Sequence, residues 1–215
     1  MKEQTIAMNT SSIRILIADD HAIVRTGLAA LLETVQGMTV VGEAKNGEEA
    51  VRLSAKLRPD VVVMDLMMPK KDGAAATEEL VKVLPETRVL LLTSFATSDG
   101  IVRALNAGAT GVVMKDSPNS ALIDAIRAVA AGRNAISPEV RRLIANDPPV
   151  ESLTPRQTEV LQSLARGLTN RDIAMQLSIS EDRIEQHVRT LLLKLGVANR
   201  TEAVALAFKK HLLKI

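Results

Sequence analysis

The amino-acid sequence predicts an α/β domain followed by an all-helical domain. Up to about residue 132, short apolar runs alternate with amphipathic stretches of helical spacing, which predicts a (βα)5 unit. The strands read as continuous apolar runs, and strands of this kind are buried on both faces of a parallel sheet. Beyond Asp-Pro-Pro at 147–149 the pattern becomes wholly helical. We therefore expect a doubly wound parallel sheet first and a four-helix domain second.

Five strand–helix pairs make up the predicted first domain. The strands are expected at 13–18, 39–43, 60–64, 88–92 and 110–114, and the helices at 21–35, 47–57, 74–83, 99–107 and 119–131. In open sheets of this type, functional groups lie in the loops at the carboxyl ends of the strands. The residues that close the strands are therefore the first place to look for chemistry.

The domain boundaries follow from the change of pattern. We predict an N-terminal tail at 1–12, a first domain at 13–133, a linker at 134–150 and a second domain at 151–215. Asp-Pro-Pro cannot continue a helix or a central strand, which favours the linker. Helices are expected at about 155–166, 170–177, 181–194 and 200–212, and the short turn at 178–180 suits a helix-turn-helix.

Charge and composition narrow the function classes. The net charge is +2, and residues 151–215 carry ten Lys and Arg against seven Asp and Glu, a modest hint of nucleic acid. Cysteine is absent, which rules out a disulfide framework. No run reaches the roughly 18 apolar residues of a membrane span, and the first residues lack the apolar region of a secretory signal. We expect a cytoplasmic protein with no membrane partner.

Three carboxylates fall at the predicted strand ends. Asp19 and Asp20 close the first strand and Asp65 closes the third. Because like charges in one cleft raise each other's pKa, such a cluster favours a bound divalent cation, and Mg²⁺ suits carboxylates with water and phosphate oxygens. Thr93 ends the fourth strand and Lys115 ends the fifth. A hydroxyl and an ammonium at the same edge indicate an incoming phosphoryl group, although each residue alone is commonplace at a strand end.

Residues 13–132 resemble a response-regulator receiver domain of two-component signalling. The matching stretches are LIADDH (16–21), VVVMDLMMPKKDG (61–73), LLTSF (91–95) and GATGVVMKD (108–116). The resemblance implies phosphorylation at Asp65 by a sensor histidine kinase. It further implies that Asp19, Asp20 and Asp65 hold Mg²⁺ together with the backbone carbonyl of Met67, and that Thr93 and Lys115 bind the phosphoryl oxygens.

One position departs from the receiver pattern. The family usually has an aromatic residue three positions before the lysine, which swings inward on activation, and this chain has Val112 there. Valine has no comparable swing. Phosphorylation does not need this residue, but transmission of the signal would have to run differently.

Residues 152–207 closely resemble the LuxR-type helix-turn-helix. LTPRQTEVLQSLARGLTNRDIAMQLSIS (153–180) and HVRTLLLKLGVANRTEAVALA (187–207) carry the resemblance, and a receiver followed by this domain is the NarL/FixJ layout. It implies that helix 181–194 enters the major groove and that the last helix pairs in a DNA-bound homodimer. The implied DNA contacts are Asn170, Arg171, Arg183, Glu185, Gln186, His187, Arg189, Thr190 and Lys194, and Arg200 is a further candidate.

The third helix departs from this pattern as well. Members often carry Thr-Val-Lys where this chain has Arg183-Ile184-Glu185. A carboxylate loses phosphate attraction but accepts a hydrogen bond from cytosine N4. We expect an altered sequence preference, and Glu185→Lys should change affinity or preferred sequence.

Three functions compete at this point. The leading one is a transcription regulator, and not an enzyme, in which phosphorylation controls dimerisation and promoter binding. The second has the same architecture but takes its control from protein partners; the intact acidic cluster opposes it and Val112 favours it. The third is a small phosphotransfer or hydrolytic enzyme, for which the motifs offer no substrate-specific site.

Overall fold

The computed structural model describes residues 12–94, 97–151, 153–210 and 212–213. All but the last residue of the expected tail at 1–12 lies outside the described residues. The chain forms two compact units. The first extends to Asn146 except for residues 97–99, and the second comprises residues 147–215 together with 97–99. Within the described residues, no helix is long and apolar enough to cross a membrane.

The first unit is built on a parallel sheet. Its strands are β1 (Ile13–Ala18), β2 (Met38–Ala44), β3 (Val61–Met64), β4 (Arg88–Thr93), β5 (Gly111–Met114) and β6 (Ala135–Ile136), in the order β2-β1-β3-β4-β5-β6. All neighbouring pairs are parallel. The order reverses at β1, so the crevice beside its carboxyl end is where ligands bind in such sheets. The predicted parallel sheet is confirmed, with one strand more than expected.

Helices cover both faces of this sheet. They are α1 (Ala22–Glu33), α2 (Gly47–Leu57), α3 (Gly73–Val83), α4 (Ser98–Asn106) and α5 (Asn119–Ala130). Successive strand residues point to opposite faces. Leu16, Val62 and Leu91 accordingly pack in one core with α2 and α3, whereas Ile15, Val63 and Leu90 pack in the other with α1 and α5. The strands read as unbroken apolar runs because both faces are buried.

The segment 134–150 differs from the predicted linker. Residues 135–136 form β6, which pairs with β5, and α6 (Pro138–Asn146) follows it. Val140 of α6 is fully buried, and it joins the core that contains Leu16 and Leu91. The two-residue strand is too short to leave a periodic signal. Val140, Leu143 and Ile144 of α6 do have helical spacing, but the linker was predicted from the Asp-Pro-Pro that directly follows this helix.

The second unit is helical, as predicted. It contains α7 (Pro155–Ala165), α8 (Asn170–Leu177), α9 (Glu181–Leu195) and α10 (Arg200–Lys209). Each helix begins at a residue whose side chain accepts a hydrogen bond from the first turn, namely Thr154, Thr169, Ser180 and Asn199. The helix predicted to reach 212 ends at Lys209. The core comes from all four helices and includes Val160, Leu161, Ile173, Ile184, Val188, Leu191, Leu195, Ala203 and Ala207.

Candidate functional site

The strand register brings the predicted acidic residues together. Ala18 of β1 pairs with Met64 of β3, so Asp19 and Asp65 are the next residues on adjacent strands. Thr93 of β4 pairs with Met114 of β5, so Lys115, the residue after Met114, lies just past the end of β5 beside Thr93. Because these strands are parallel, all four side chains lie at one edge of the sheet.

Lys115 bridges two of the carboxylates. Its Nζ lies 2.6 Å from Asp19 Oδ2 and 2.8 Å from Asp65 Oδ2. Asp19 and Asp65 are 2% and 5% exposed, so this is a buried cluster of two acids and one base. A partner for a buried carboxylate is worth far more than one at the surface. Lys115 therefore holds both acids at the crevice.

The ionisation of this cluster is unbalanced. Burial raises the pKa of the Asp65 carboxyl above its ordinary value, and the hydrogen bond from Lys115 offsets this only in part. Burial lowers the pKa of Lys115, but its hydrogen bonds to Asp19 and Asp65 outweigh burial and leave that pKa above its ordinary value. Two carboxylates thus share a single ammonium, and a further positive charge would be accommodated.

Asp65 is fixed through both carboxylate oxygens. Oδ2 accepts from Lys115 Nζ, while Oδ1 accepts from the backbone N–H of Met67 at 3.3 Å. Met67, the expected carbonyl ligand, therefore lies in the loop that wraps around the Asp65 side chain. A carboxylate held in this way is oriented before any reaction takes place.

Gly73 keeps the same loop tight. Its N–H donates to the carbonyl of Leu66. A Cβ on Gly73 would lie 2.4 Å from the carbonyl oxygen of Asp65 and 3.0 Å from Leu66 Cα. Contacts of that length with backbone cannot be relieved by turning a side chain, so α3 begins against the backbone of the residue expected to be phosphorylated.

A histidine joins the acidic cluster. His21 Nδ1 lies 2.9 Å from Asp20 Oδ1 and 3.3 Å from Asp19 Oδ1. One ligand atom each from Asp19, Asp20, His21 and Asp65 can be chosen so that all lie within 4.8 Å of one another. Ligand atoms bound to one cation at about 2.1 Å lie no more than about 4.2 Å apart, so this set needs only a small contraction around an ion. The donor set therefore fits a divalent cation, and His21 adds a nitrogen that the sequence analysis did not include.

Arg25 is a second residue that sequence reasoning missed. Its Nη1 donates to the carbonyl oxygen of Asp19 at 2.6 Å, and its Nε lies 3.4 Å from Glu43 Oε2. It thus ties the end of β1 to β2. The available signal was its place one turn into the helix that follows LIADDH.

Thr93 carries a buried hydroxyl. The residue is 1% exposed, and its Oγ1 has no hydrogen-bond partner among the described residues. A buried hydroxyl without a partner is costly and uncommon. Its position at the end of β4, between the strands of Asp65 and Lys115, gives it a hydrogen bond to offer to a phosphoryl oxygen.

Val112 lies inside the sheet and is fully buried. It pairs with Leu91 of β4 on one side and with Ile136 of β6 on the other. It belongs to the same core as Val140 of α6. The position occupied by an aromatic residue in the resembled family is here a packed core position, covered by the two elements that the sequence did not predict.

The expected DNA contacts lie largely on one face of α9. Ile184, Val188, Leu191 and Leu195 turn inward. The opposite face exposes Arg183, Glu185, Gln186, Arg189 and Thr190, while His187 is half-buried. Lys194 lies partly buried, 3.3 Å from Glu151 Oε1 and 3.5 Å from Gln157 Oε1.

Two further candidates are on α8. Arg171 is exposed. Asn170 is half-buried, and its Oδ1 is buried without a hydrogen-bond partner among the described residues. The helix N-terminus also offers backbone N–H groups, which commonly bind phosphate.

Both halves of the chain match family models. Residues 15–127 match the response regulator receiver domain, and residues 151–207 match the bacterial regulatory proteins of the luxR family. The first model alone covers more than half of the chain. This protein is a two-component response regulator.

The similarity to other response regulators extends over most of the chain. The transcriptional regulatory protein LiaR of Bacillus subtilis is 39% identical over 208 residues, covering 93% of this chain and 99% of that protein. The response regulator therefore regulates transcription through a DNA-binding helix-turn-helix domain, as predicted.

Solved structures give the same result. The response regulator ChrA of a heme-sensing two-component system is 40% identical with a TM-score of 0.58, over 94% of this chain and 100% of that one. RcsB of Salmonella enterica serovar Typhimurium is 28% identical with a TM-score of 0.66, over 90% of this chain and 97% of that one. That structure is bound to a promoter in the presence of phosphomimetic BeF3⁻.

Proposed function

We propose that this response regulator is phosphorylated on Asp65 by a sensor histidine kinase and that phosphorylation controls its binding to promoter DNA. The observation that carries the proposal is the cluster at the sheet edge. Asp65 is buried and held by Lys115, and the buried Thr93 hydroxyl has no partner among the described residues. A phosphoryl group on Asp65 would supply acceptor oxygens to both.

The transfer itself is a simple displacement. A new bond forms between a carboxylate oxygen of Asp65 and phosphorus, and the bond between phosphorus and the donor's imidazole nitrogen breaks, with its electron pair left on nitrogen. Lys115 neutralises charge on the transferred group, and the Met67 N–H keeps the other oxygen of Asp65 in place. Thr93 then donates to the transferred group, which draws the β4–α4 loop toward it.

We propose that Mg²⁺ is the cation of this site. Asp19, Asp20 and Asp65 offer the carboxylate oxygens, and the Met67 carbonyl is the expected fourth ligand. When bound, Mg²⁺ would neutralise charge on the phosphoryl oxygens during transfer. The excess of carboxylates over Lys115 supports a cation here, and Arg25 keeps the Asp19 backbone in position.

The decisive measurement is the mass of the intact protein after incubation with acetyl phosphate and Mg²⁺. The parent should gain one phosphoryl group, ~80 Da, and Asp65→Asn should gain none. Asp60→Asn is a suitable control, because Asp60 precedes the same strand but lies at its other end. If the parent gains no phosphate, or Asp65→Asn gains as much as the parent, Asp65 is not the acceptor.

For DNA, we propose that α9 lies in the major groove of a pseudo-palindromic site bound by a homodimer. The exposed polar residues of α9 would meet the bases, with Asn170, Arg171 and Lys194 on phosphates. The modest positive charge of residues 151–215 supports a dimer, because two domains double the number of phosphate contacts. Because promoter DNA lies in the cytoplasm of a bacterium, we propose that the protein is cytoplasmic. We also propose residues 147–150 as the linker between the two domains.

Electrophoretic retardation of promoter DNA tests the control. Acetyl phosphate should strengthen binding by the parent and leave Asp65→Asn unchanged. If acetyl phosphate does not change the DNA affinity, a regulator controlled by protein partners is favoured. Val112, which stands where the family usually has an aromatic residue, supports that alternative. Arg171→Ala should weaken binding to all sequences about equally, whereas Gln186→Ala should weaken the preferred site most.

A further inference from the structure

The exposed face of α9 is acidic for a helix expected in the major groove. Its exposed residues are Glu181, Asp182, Arg183, Glu185, Gln186, Arg189, Thr190 and Leu193. Three carboxylates thus stand against two guanidinium groups. DNA phosphates repel carboxylates, so this face would bind DNA poorly unless some of the carboxylates meet hydrogen-bond donors there.

One of these carboxylates is paired along the helix. Glu185 and Arg189 lie one turn apart, and Glu185 Oε1 is 3.8 Å from Arg189 Nη2. Their side chains are 66% and 77% exposed. An exposed pair of this kind adds little to stability, so it does not explain why both side chains are there. It does bring an acceptor and a forked donor side by side on the outer face.

The edges of one base pair match these two groups. In the major groove, cytosine offers its N4 amino group as a donor, and guanine offers N7 and O6 as acceptors. A carboxylate accepts from cytosine N4, and an arginine donates to both guanine atoms. We propose that Glu185 and Arg189 act as a coupled pair that reads a cytosine–guanine base pair in each half-site. This inference rests on the proposed placement of α9 in the major groove.

The same pair restrains binding to other sequences. Opposite guanine or thymine, Glu185 would face O6, N7 or O4, all of which are acceptors. Opposite adenine it would find the N6 amino group, but Arg189 would then lack its guanine. Glu185 therefore adds repulsion at non-matching sites, and discrimination against wrong partners often depends on such repulsion. A helix that carried a cation at this position would bind all sequences more tightly and choose among them less.

Selection of binding sites from randomised duplexes by the full-length protein, pretreated with acetyl phosphate, tests the pair. The parent should select sites with one fixed cytosine–guanine pair per half-site. Glu185→Gln should shift that pair toward adenine–thymine, since glutamine bonds adenine in two places, and should cut the cytosine–guanine preference by about tenfold. Arg189→Ala should lose preference at the same base pair, while Glu185→Lys should raise affinity for unrelated DNA.

Asp182→Asn is the matched control. It removes the same charge from the same helix, but the residue four positions on is Gln186 and not an arginine. Its affinity for unrelated DNA should rise and its selected sequence should stay as in the parent. The inference is overturned if Glu185→Gln keeps the parental sequence, or if Glu185→Gln and Arg189→Ala alter different base pairs.

The result also separates this inference from the proposed interface. If Gln186→Ala and Arg171→Ala weaken binding while Glu185→Gln leaves the selected sequence intact, α9 meets DNA and only the coupled pair is wrong. If no substitution on α8 or α9 changes binding, the proposed interface is wrong, and the pair fails with it.

Discussion

The charged residues at the sheet edge and those on α9 behave in opposite ways. At the sheet edge, Asp19, Asp65 and Lys115 are nearly removed from water, and each is held by another. On α9, Glu185 and Arg189 stand mostly in water and are held loosely. Charges in the first region therefore contribute to the stability of the fold, whereas charges in the second are available to bind a partner.

This difference has a physical origin. Attraction between charges grows as water is excluded, so the loss of one member of a buried cluster leaves the others unpaired in a poor solvent for ions. Exposed charges lose little when a partner is removed, because water replaces it. The comparison therefore predicts large stability effects at the sheet edge and small ones at the surface.

The largest effect should come from Lys115→Met. The substitution keeps the aliphatic stem but leaves Asp19 and Asp65 facing each other without a cation. We expect a loss of about 3–5 kcal/mol in the free energy of unfolding, measured by urea denaturation in the absence of divalent ions. Mg²⁺ should restore part of the loss, since it would neutralise the same carboxylates.

Lys82→Ala provides the exposed counterpart. Lys82 Nζ lies 2.7 Å from Glu78 Oε1, a distance as short as those at the sheet edge, but both side chains are more than 60% exposed. Its removal should leave the free energy of unfolding nearly unchanged, because water replaces the lost partner. Similar losses in the two variants would show that burial is not what separates the two regions.

Gly73→Ala should have the next largest effect. The added Cβ would lie 2.4 Å from the carbonyl oxygen of Asp65, so α3 or the end of β3 must shift. We expect a loss of about 1–3 kcal/mol and slower phosphoryl uptake from acetyl phosphate, followed by intact mass. Gly27→Ala is the control, since its Cβ would meet nothing within 4 Å. It should raise the free energy of unfolding by about 0.5–1 kcal/mol, because alanine favours a helix interior over glycine.

The same contrast explains which site residues could be predicted from the sequence. The positions of Asp19, Asp65, Thr93 and Lys115 could be predicted because each directly follows or ends a buried strand, and parallel register aligns such residues. His21 and Arg25 were missed because they follow a strand by three residues or more, where the path of the loop decides what they touch. That the Thr93 hydroxyl has no hydrogen-bond partner among the described residues depends on its surroundings, which no residue pattern records.

For α9, the helix itself could be predicted from the sequence, but the contacts of its exposed residues could not. The spacing of Ile184, Val188, Leu191 and Leu195 gave the inward face, because burial imposes a period on apolar residues. No such rule applies to the outer face, where Glu185 and Arg189 are exposed and pair with each other. The roles of those residues depend on a partner, and the chain alone carries only their spacing and charge.

His21 combines features of both regions, since it is exposed and yet belongs to the acidic cluster, and its substitution should have a selective effect. Its side chain is 68% exposed but directed at Asp19 and Asp20. Imidazole favours later transition metals, whereas carboxylates suit Mg²⁺. His21→Ala should weaken Co²⁺ binding by about tenfold and change Mg²⁺ binding by less than about twofold, measured by titration calorimetry. His187→Ala should alter neither. Equal losses for both ions would mean that His21 orders the carboxylates and is not a ligand.

The smallest effect tests which force dominates at Asp65. Because burial raises the pKa of this carboxyl in the folded protein, its favourable contribution is present below the unfolded value of about 3.9 and is lost as pH rises through the folded value. At neutral pH the charge therefore opposes folding. Asp65→Asn removes that charge, and Lys115 keeps Asp19 as partner at 2.6 Å.

The melting temperature of Asp65→Asn without divalent ions should thus exceed that of the parent by ~2–4 °C at neutral pH. The difference should shrink as the pH falls and vanish below about pH 3, where the parent carboxyl is protonated in both states. Asp124→Asn, with a side chain 77% exposed on α5, should melt like the parent throughout. A lower melting temperature for Asp65→Asn at neutral pH would mean that the bond to Lys115 outweighs burial. The crevice would then be balanced without a metal ion, and the argument from surplus carboxylates to a bound cation would lose its support.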